Sequence, residues 1–101
     1  MKKGWFIGNF YPTIYNTNNF EVAIKKYIKG EEENSHFHKI ATEFTIVIDG
    51  QISMNNIIYE KDSIIEIEPN DVVKFVALTD CTTVVIKIPS SIGDKYEIDI
   101  T

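Results

Sequence analysis

The chain contains no arginine; all ten of its basic residues are lysines. Arginine is the usual bidentate clamp for carboxylate and phosphate, whereas lysine offers a compact point charge. Recognition of a nucleotide diphosphate would therefore fall to lysines and backbone amides. Fifteen acidic residues set against ten basic ones give a net charge of −5. That balance argues against a nucleic-acid partner, because phosphate neutralisation dominates such binding. The only cysteine, Cys81, excludes an intramolecular disulfide framework. Burial is its ordinary role, since a catalytic thiol needs a histidine partner and both histidines have a better explanation. No apolar run approaches the ~20 residues of a membrane helix. The start, Met1-Lys2-Lys3-Gly4-Trp5-Phe6-Ile7-Gly8-Asn9, breaks before signal-peptide length. A cytoplasmic protein without membrane association is expected. Sustained helical periodicity, internal repeats and low-complexity tracts are also missing.

What the chain has is strand signal. Phe20 to Lys29 alternates apolar and polar residues, as a half-buried strand does. A strand around His36 to Lys39 follows an acidic turn. Glu43 to Ile48 is another, ended by the hairpin dipeptide Asp49-Gly50. Gln51 to Met54, Asn55-Asn56 and Ile57 to Tyr59 read as a short hairpin. Ser63 to Ile67, Val72 to Leu78 and Thr82 to Ile88 are further strands, and Tyr96 to Ile100 is either an edge strand or a docking tail. Short segments at this spacing predict an all-β sandwich or barrel in a single domain. The strand Glu43 to Ile48 is apolar on both faces, with Phe44, Ile46 and Ile48 on one and Thr45 and Val47 on the other. A strand covered on both sides fits a sheet packed between the core and a second subunit, so a homodimer is expected.

The chain's two histidines, His36 and His38, are two residues apart, and Glu43 follows five residues later. On a strand the two imidazoles share a face. With a carboxylate nearby they can form a two-His-one-carboxylate metal site.

Gly30, His36, His38, Glu43 and Gly50 stand at spacings that resemble the first motif of the cupin superfamily, the RmlC-like jelly rolls. The resemblance runs from about Phe20 to Ile88. It implies a double-stranded β-helix formed by residues 20–101 with a C-terminal tail. Residues 1–19 would be an N-terminal extension that covers the barrel or a dimer interface. It also implies that His36, His38 and Glu43 point into the barrel mouth and hold a divalent ion (Fe, Mn, Ni or Zn), with a metal-free barrel as the alternative. The second motif departs from the family. Its proline turn is present at Pro69, but the third histidine is replaced by Val73 or by Lys74, depending on whether Phe75 or Pro69 anchors the count. Valine cannot ligate, and lysine must first lose its proton.

Other candidate acid–base or anchoring groups are Tyr27, Tyr59, Glu66 and Lys74, with packing or solvated faces as their ordinary roles. Three functions follow from this reading. One is a metal-dependent cupin acting on a small molecule. Another is a metal-free sugar isomerase or epimerase that uses His36 and His38 as acid and base on a carbohydrate. The last is a non-catalytic ligand-binding or regulatory barrel.

Overall fold

The alternation in the sequence becomes strands in a computed structural model, which describes residues 4–98. In chain order these are β1 (Trp5–Gly8), β2 (Tyr15–Asn16), β3 (Glu21–Tyr27), β4 (His36–Phe37), β5 (Thr42–Asp49), β6 (Gln51–Met54), β7 (Ile57–Glu60), β8 (Ile64–Ile67), β9 (Phe75–Ala77), β10 (Cys81–Ile88) and β11 (Tyr96–Glu97). No helix among the described residues is long and apolar enough to cross a membrane.

A six-stranded sheet in the order β2-β1-β3-β10-β5-β8 forms one wall. The strands of sheets β7-β6-β9 and β11-β4 form the other. Antiparallel bridges Glu32↔Val76 and His36↔Val73 join these two smaller sheets along one line. Between the walls lies a core that includes Val47, Ile52, Met54, Ile67, Phe75 and Ala77. The expected N-terminal extension supplies β1 and β2 to the large sheet, and the C-terminal segment pairs as β11 with β4.

Turn chemistry sets the connections. Gly50 adopts φ +83°, and a Cβ there would lie 2.3 Å from the Asp80 carbonyl oxygen. Asn55 and Asn56 both take positive φ (52° and 67°), as a two-residue primed hairpin turn requires. Asn55 also explains why the expected strand from Val72 shortens to β9. Its side chain receives the Lys74 N–H at 2.8 Å and donates to the Val72 carbonyl at 2.9 Å, replacing ladder bonds there.

On the outer face of the large sheet one row is apolar across four strands. Val84 pairs with Ile24 on one side and Ile46 on the other, and Ile46 pairs with Ile64. The next row is Val22, Ile86 and Phe44, and it ends on Glu66. Ile24 (48 %), Ile48 (44 %) and Ile64 (69 %) are exposed in the single chain.

One buried carboxylate holds the loop between β4 and β5, which carries His38. Asp94 accepts backbone N–H bonds from Lys39 (3.0 Å), Ile40 (3.2 Å) and Ala41 (2.9 Å). Burial works to raise its pKa, but the donors of Ala41, Lys39 and Ile40 outweigh it and hold the carboxyl below its ordinary value. A depressed carboxylate stabilises the fold fully above the unfolded pKa of about 3.9, and that contribution is lost as pH falls through the folded value. Asp94→Asn is expected to destabilise the protein by about 1.5–3 kcal/mol at pH 7, the range for hydrogen bonds to a charged group. Its deficit against wild type should shrink below about pH 4. Denaturant titrations at pH 7 and pH 3 measure both, and an equal deficit at the two pH values would contradict the assignment.

Candidate metal centre

β4 is fixed on both edges. His36 exchanges backbone hydrogen bonds with Val73 (3.1 and 2.8 Å) and pairs with Glu97 of β11. Phe37 turns outward and stacks on Tyr96, with ring centroids 5.3 Å apart. His36 and the following His38 are both buried, their rings 5.5 Å apart and edge to face. Glu43 arrives from β5, opposite Lys87 of β10 and Ile67 of β8.

His36, His38 and Glu43 each offer a ligand atom, and these atoms lie within 4.8 Å of one another. Three further observations bear on whether a metal fits. The His36 Nδ1 lies 3.0 Å from the Asn34 carbonyl oxygen. A carbonyl only accepts, so the proton is assigned to Nδ1 and the Nε2 lone pair is left for a ligand. The Glu43 Oε2 receives the Thr45 hydroxyl at 3.0 Å, while Oε1 lies 4.0 Å from His38 Nδ1. The His38 Nε2 is buried with no hydrogen-bond partner among the described residues. An orphaned buried nitrogen is costly, and a metal would relieve it. Two imidazoles and a carboxylate suit Zn, Fe, Mn or Ni, so the donor set fits the group. Burial, with Lys87 and His36 adding to it, pushes the His38 pKa down to about 4. His38 is thus neutral at pH 7, the form that ligates.

His36 and Glu43, but not His38, line a cavity of about 80 Å³ together with Trp5, Tyr27, Val73 and Phe75. Tyr27 donates its hydroxyl to Glu33. Burial, reinforced by Glu33, pushes the tyrosine pKa up, so Tyr27 stays a donor. Burial works to raise the Glu33 pKa, but the Tyr27 hydroxyl, Lys25 and Lys95 outweigh it and keep Glu33 ionised. Lys25 is pushed below the ordinary lysine value chiefly by burial. An outer cleft of about 320 Å³ continues from this cavity, sharing Trp5, Lys25, Lys87 and Lys95.

Val73 is the residue that faces the cavity beside His36. Lys74 turns away, donating from Nζ to Glu32 (2.8 Å) and to the Glu33 carbonyl (3.0 Å). The structure does not bring Lys74 to the triad. Tyr59 and Glu66 border a different depression, with Met54 and Val72. Sequence reasoning missed Trp5, Lys25, Glu33, Thr45 and Lys87. Lys25 and Lys87 carried a signal, because they share strand parity with the buried Ala23 and Val85.

No protein-family model matches the chain, and no curated protein matches it. Solved structures do. A Klebsiella pneumoniae protein with a double-stranded β-helix domain is 21 % identical with a TM-score of 0.73, over 83 % of this chain and 74 % of its own. A sugar phosphate isomerase of the cupin superfamily from Silicibacter pomeroyi is 18 % identical (TM-score 0.69; 81 % and 58 % covered). Oxalate decarboxylase from Bacillus subtilis is 12 % identical (TM-score 0.69; 80 % and 24 %). Two facing walls, the strand order and these matches together show that the chain has the double-stranded β-helix fold, the fold of the cupin structures it resembles.

Proposed function

We propose that the protein binds a divalent metal through His36, His38 and Glu43 and acts on a small molecule in the adjoining cavity. The observation that carries this reading is the buried triad with its ligand atoms within 4.8 Å. The His36 tautomer set by Asn34 and the orphaned His38 Nε2 support it. Three protein ligands leave coordination positions open, as catalytic sites do and structural zinc sites do not. A bound ion would supply Lewis-acid polarisation or an activated water. The chain's own groups would do the rest. Thr45 orients the Glu43 carboxylate, Val73 and Phe75 exclude water, and the Tyr27 hydroxyl stays protonated toward Glu33.

The metal-free isomerase reading is weaker here. With its pKa pushed down to about 4, His38 is a neutral imidazole rather than an imidazolium at neutral pH, a poor general acid. The absence of arginine also removes the usual diphosphate clamp. Val73 at the third-histidine position favours the non-catalytic binding barrel as the second reading.

Calorimetric titration with Zn²⁺ or Mn²⁺ alone tests the leading reading. One equivalent should bind. Thr45→Val should weaken binding by roughly 10-fold, in the range for outer-shell partners. His36→Ala or His38→Ala should cost more than the ~100-fold at the top of that range. No uptake of any divalent ion by the folded protein would refute the metal site.

For assembly, we propose a two-fold homodimer through the outer face of the large sheet. The Ile24, Val84, Ile46 and Ile64 row is a contiguous apolar patch of a kind that monomers rarely leave open. Light scattering should give twice the chain mass for wild type. Ile46→Lys, placed at the centre of that row, should give the monomer with an unchanged circular-dichroism spectrum. A wild-type monomer at micromolar concentration would exclude the dimer.

A further inference from the structure

Three lysines stand at the mouth of the cavity. Lys25, Lys87 and Lys95 border both the inner cavity and the outer cleft. The Lys25 and Lys87 side chains are only 19 % and 13 % exposed. Both occupy inward strand positions, Lys25 in the row of Thr83 and Val47 and Lys87 between Glu21 and Glu43. Both ammonium groups lie over Trp5, 5.4 and 4.8 Å from the ring centroid. Packing alone would favour an apolar side chain at either position, because a half-desolvated ammonium is costly.

The carboxylates nearby do not fill these donors. Lys25 and Lys95 each reach Glu33 only at 3.9 Å, and Lys87 reaches Glu21 at 3.8 Å. Those distances are beyond hydrogen-bond length. The same carboxylates are engaged elsewhere. Glu33 accepts from Tyr27, Glu21 from Ser90 at 3.2 Å, Glu43 from Thr45, and Asp94 from three backbone N–H groups. Each of these glutamates accepts one such bond on one oxygen, and none accepts a hydrogen bond from Lys25, Lys87 or Lys95, so the ammonium groups, with three donors each, keep donors that no protein hydrogen bond fills. A metal at the triad would offset the charge of Glu43, which stands opposite Lys87.

We infer that Lys25, Lys87 and Lys95 form an oxyanion-recognition site, so that the molecule entering the cavity is a small organic anion carrying a carboxylate or phosphate group. Lysine suits this task in a chain without arginine, since a point charge tolerates either oxyanion geometry. The outer cleft takes the body of the molecule, and the anionic group sits at the Trp5 edge beside the triad. The inference rests on the small-molecule reading of the cavity above, not on the identity of the metal.

Trp5 is the chain's only tryptophan, so its fluorescence reports on this site alone. Zn²⁺-loaded and metal-free protein are titrated with acetate, with methyl phosphate, and with acetamide as the neutral isostere. A saturable change with at least one oxyanion, and none with acetamide, is expected. Lys25→Gln should weaken that binding at least ~10-fold, as removal of one partner from a poorly hydrated charge pair does. Lys95→Gln, at a more exposed position that spares the fold, should weaken it in the same direction. Lys26→Gln, on the outer face, should not. Comparing acetate with methyl phosphate identifies the preferred oxyanion. The proposal is overturned if no oxyanion perturbs Trp5, if acetamide binds equally, or if affinity is unchanged in both Lys25→Gln and Lys95→Gln. Zn²⁺ titration of the same variants keeps the two readings apart. Intact Zn²⁺ uptake without oxyanion binding refutes only this site. Oxyanion binding to protein that takes no Zn²⁺ refutes only the metal.

Discussion

Strand β10 is paired along its length with β3 on one side and β5 on the other, and this double ladder is the constraint on which the rest depends. Its register lines up Glu21, Lys87 and Glu43 in one inward row, Ala23, Val85 and Thr45 in the next, and Lys25, Thr83 and Val47 in a third. The first row is charged throughout, the second is mostly apolar, and the third sets Lys25 and Thr83 beside the core residue Val47. A slip of one residue would turn every one of these side chains to the outer face. It would also bury Ile24, Val84 and Ile46 in their place. The apolar outside and the charged inside are therefore two consequences of one register.

The opposite wall has a different job. β4 contributes only two residues, too few to hold a ligand-bearing strand in place by its own ladder. It is fixed instead from three directions: Val73 on one edge, β11 on the other, and the Asp94 carboxylate on the loop that follows. Asp94 and β11 both come from the C-terminal segment, so the tail of the chain positions the histidines of its middle. Neighbours far apart in sequence but joined by several short hydrogen bonds make a site rigid without a long element.

The strands with clean period-two alternation were legible from sequence, and the spacing of His36, His38 and Glu43 was too, although the strand expected over His36 to Lys39 ends at Phe37 and His38 stands on the loop that follows. The strands follow from local rules: alternation sets the face, and Asp-Gly or Asn-Asn sets the turn. The choice between Val73 and Lys74 was not legible, because Asn55 replaces ladder bonds at that point and decides which side chain turns inward. Lys25 and Lys87 were missed because lysine on a strand is ordinarily read as solvent-facing. Parity with Ala23 and Val85 contradicted that reading, and a conflict between residue type and strand parity is the kind of local inconsistency that marks functional positions. Asp94 gave no local signal, since its role exists only once the loop from Lys39 to Ala41 lies against it.

The site is also a weak point in the stability of the fold. A buried Nε2 without a partner and a carboxylate satisfied at one oxygen by Thr45 are both groups that folding desolvates at a cost. Half-desolvated ammonium groups at the mouth add to it. None of these is needed by the core, which lies farther along the rows at Val47, Ile52 and Phe75. Any ligand that satisfies them in the folded chain, and finds no such arrangement in the unfolded one, stabilises the fold in proportion to the logarithm of its concentration. Cation and anion would relieve different atoms. On the proposed reading their contributions would reinforce one another, because a metal at the triad removes the negative charge of Glu43 from the row that Lys87 shares.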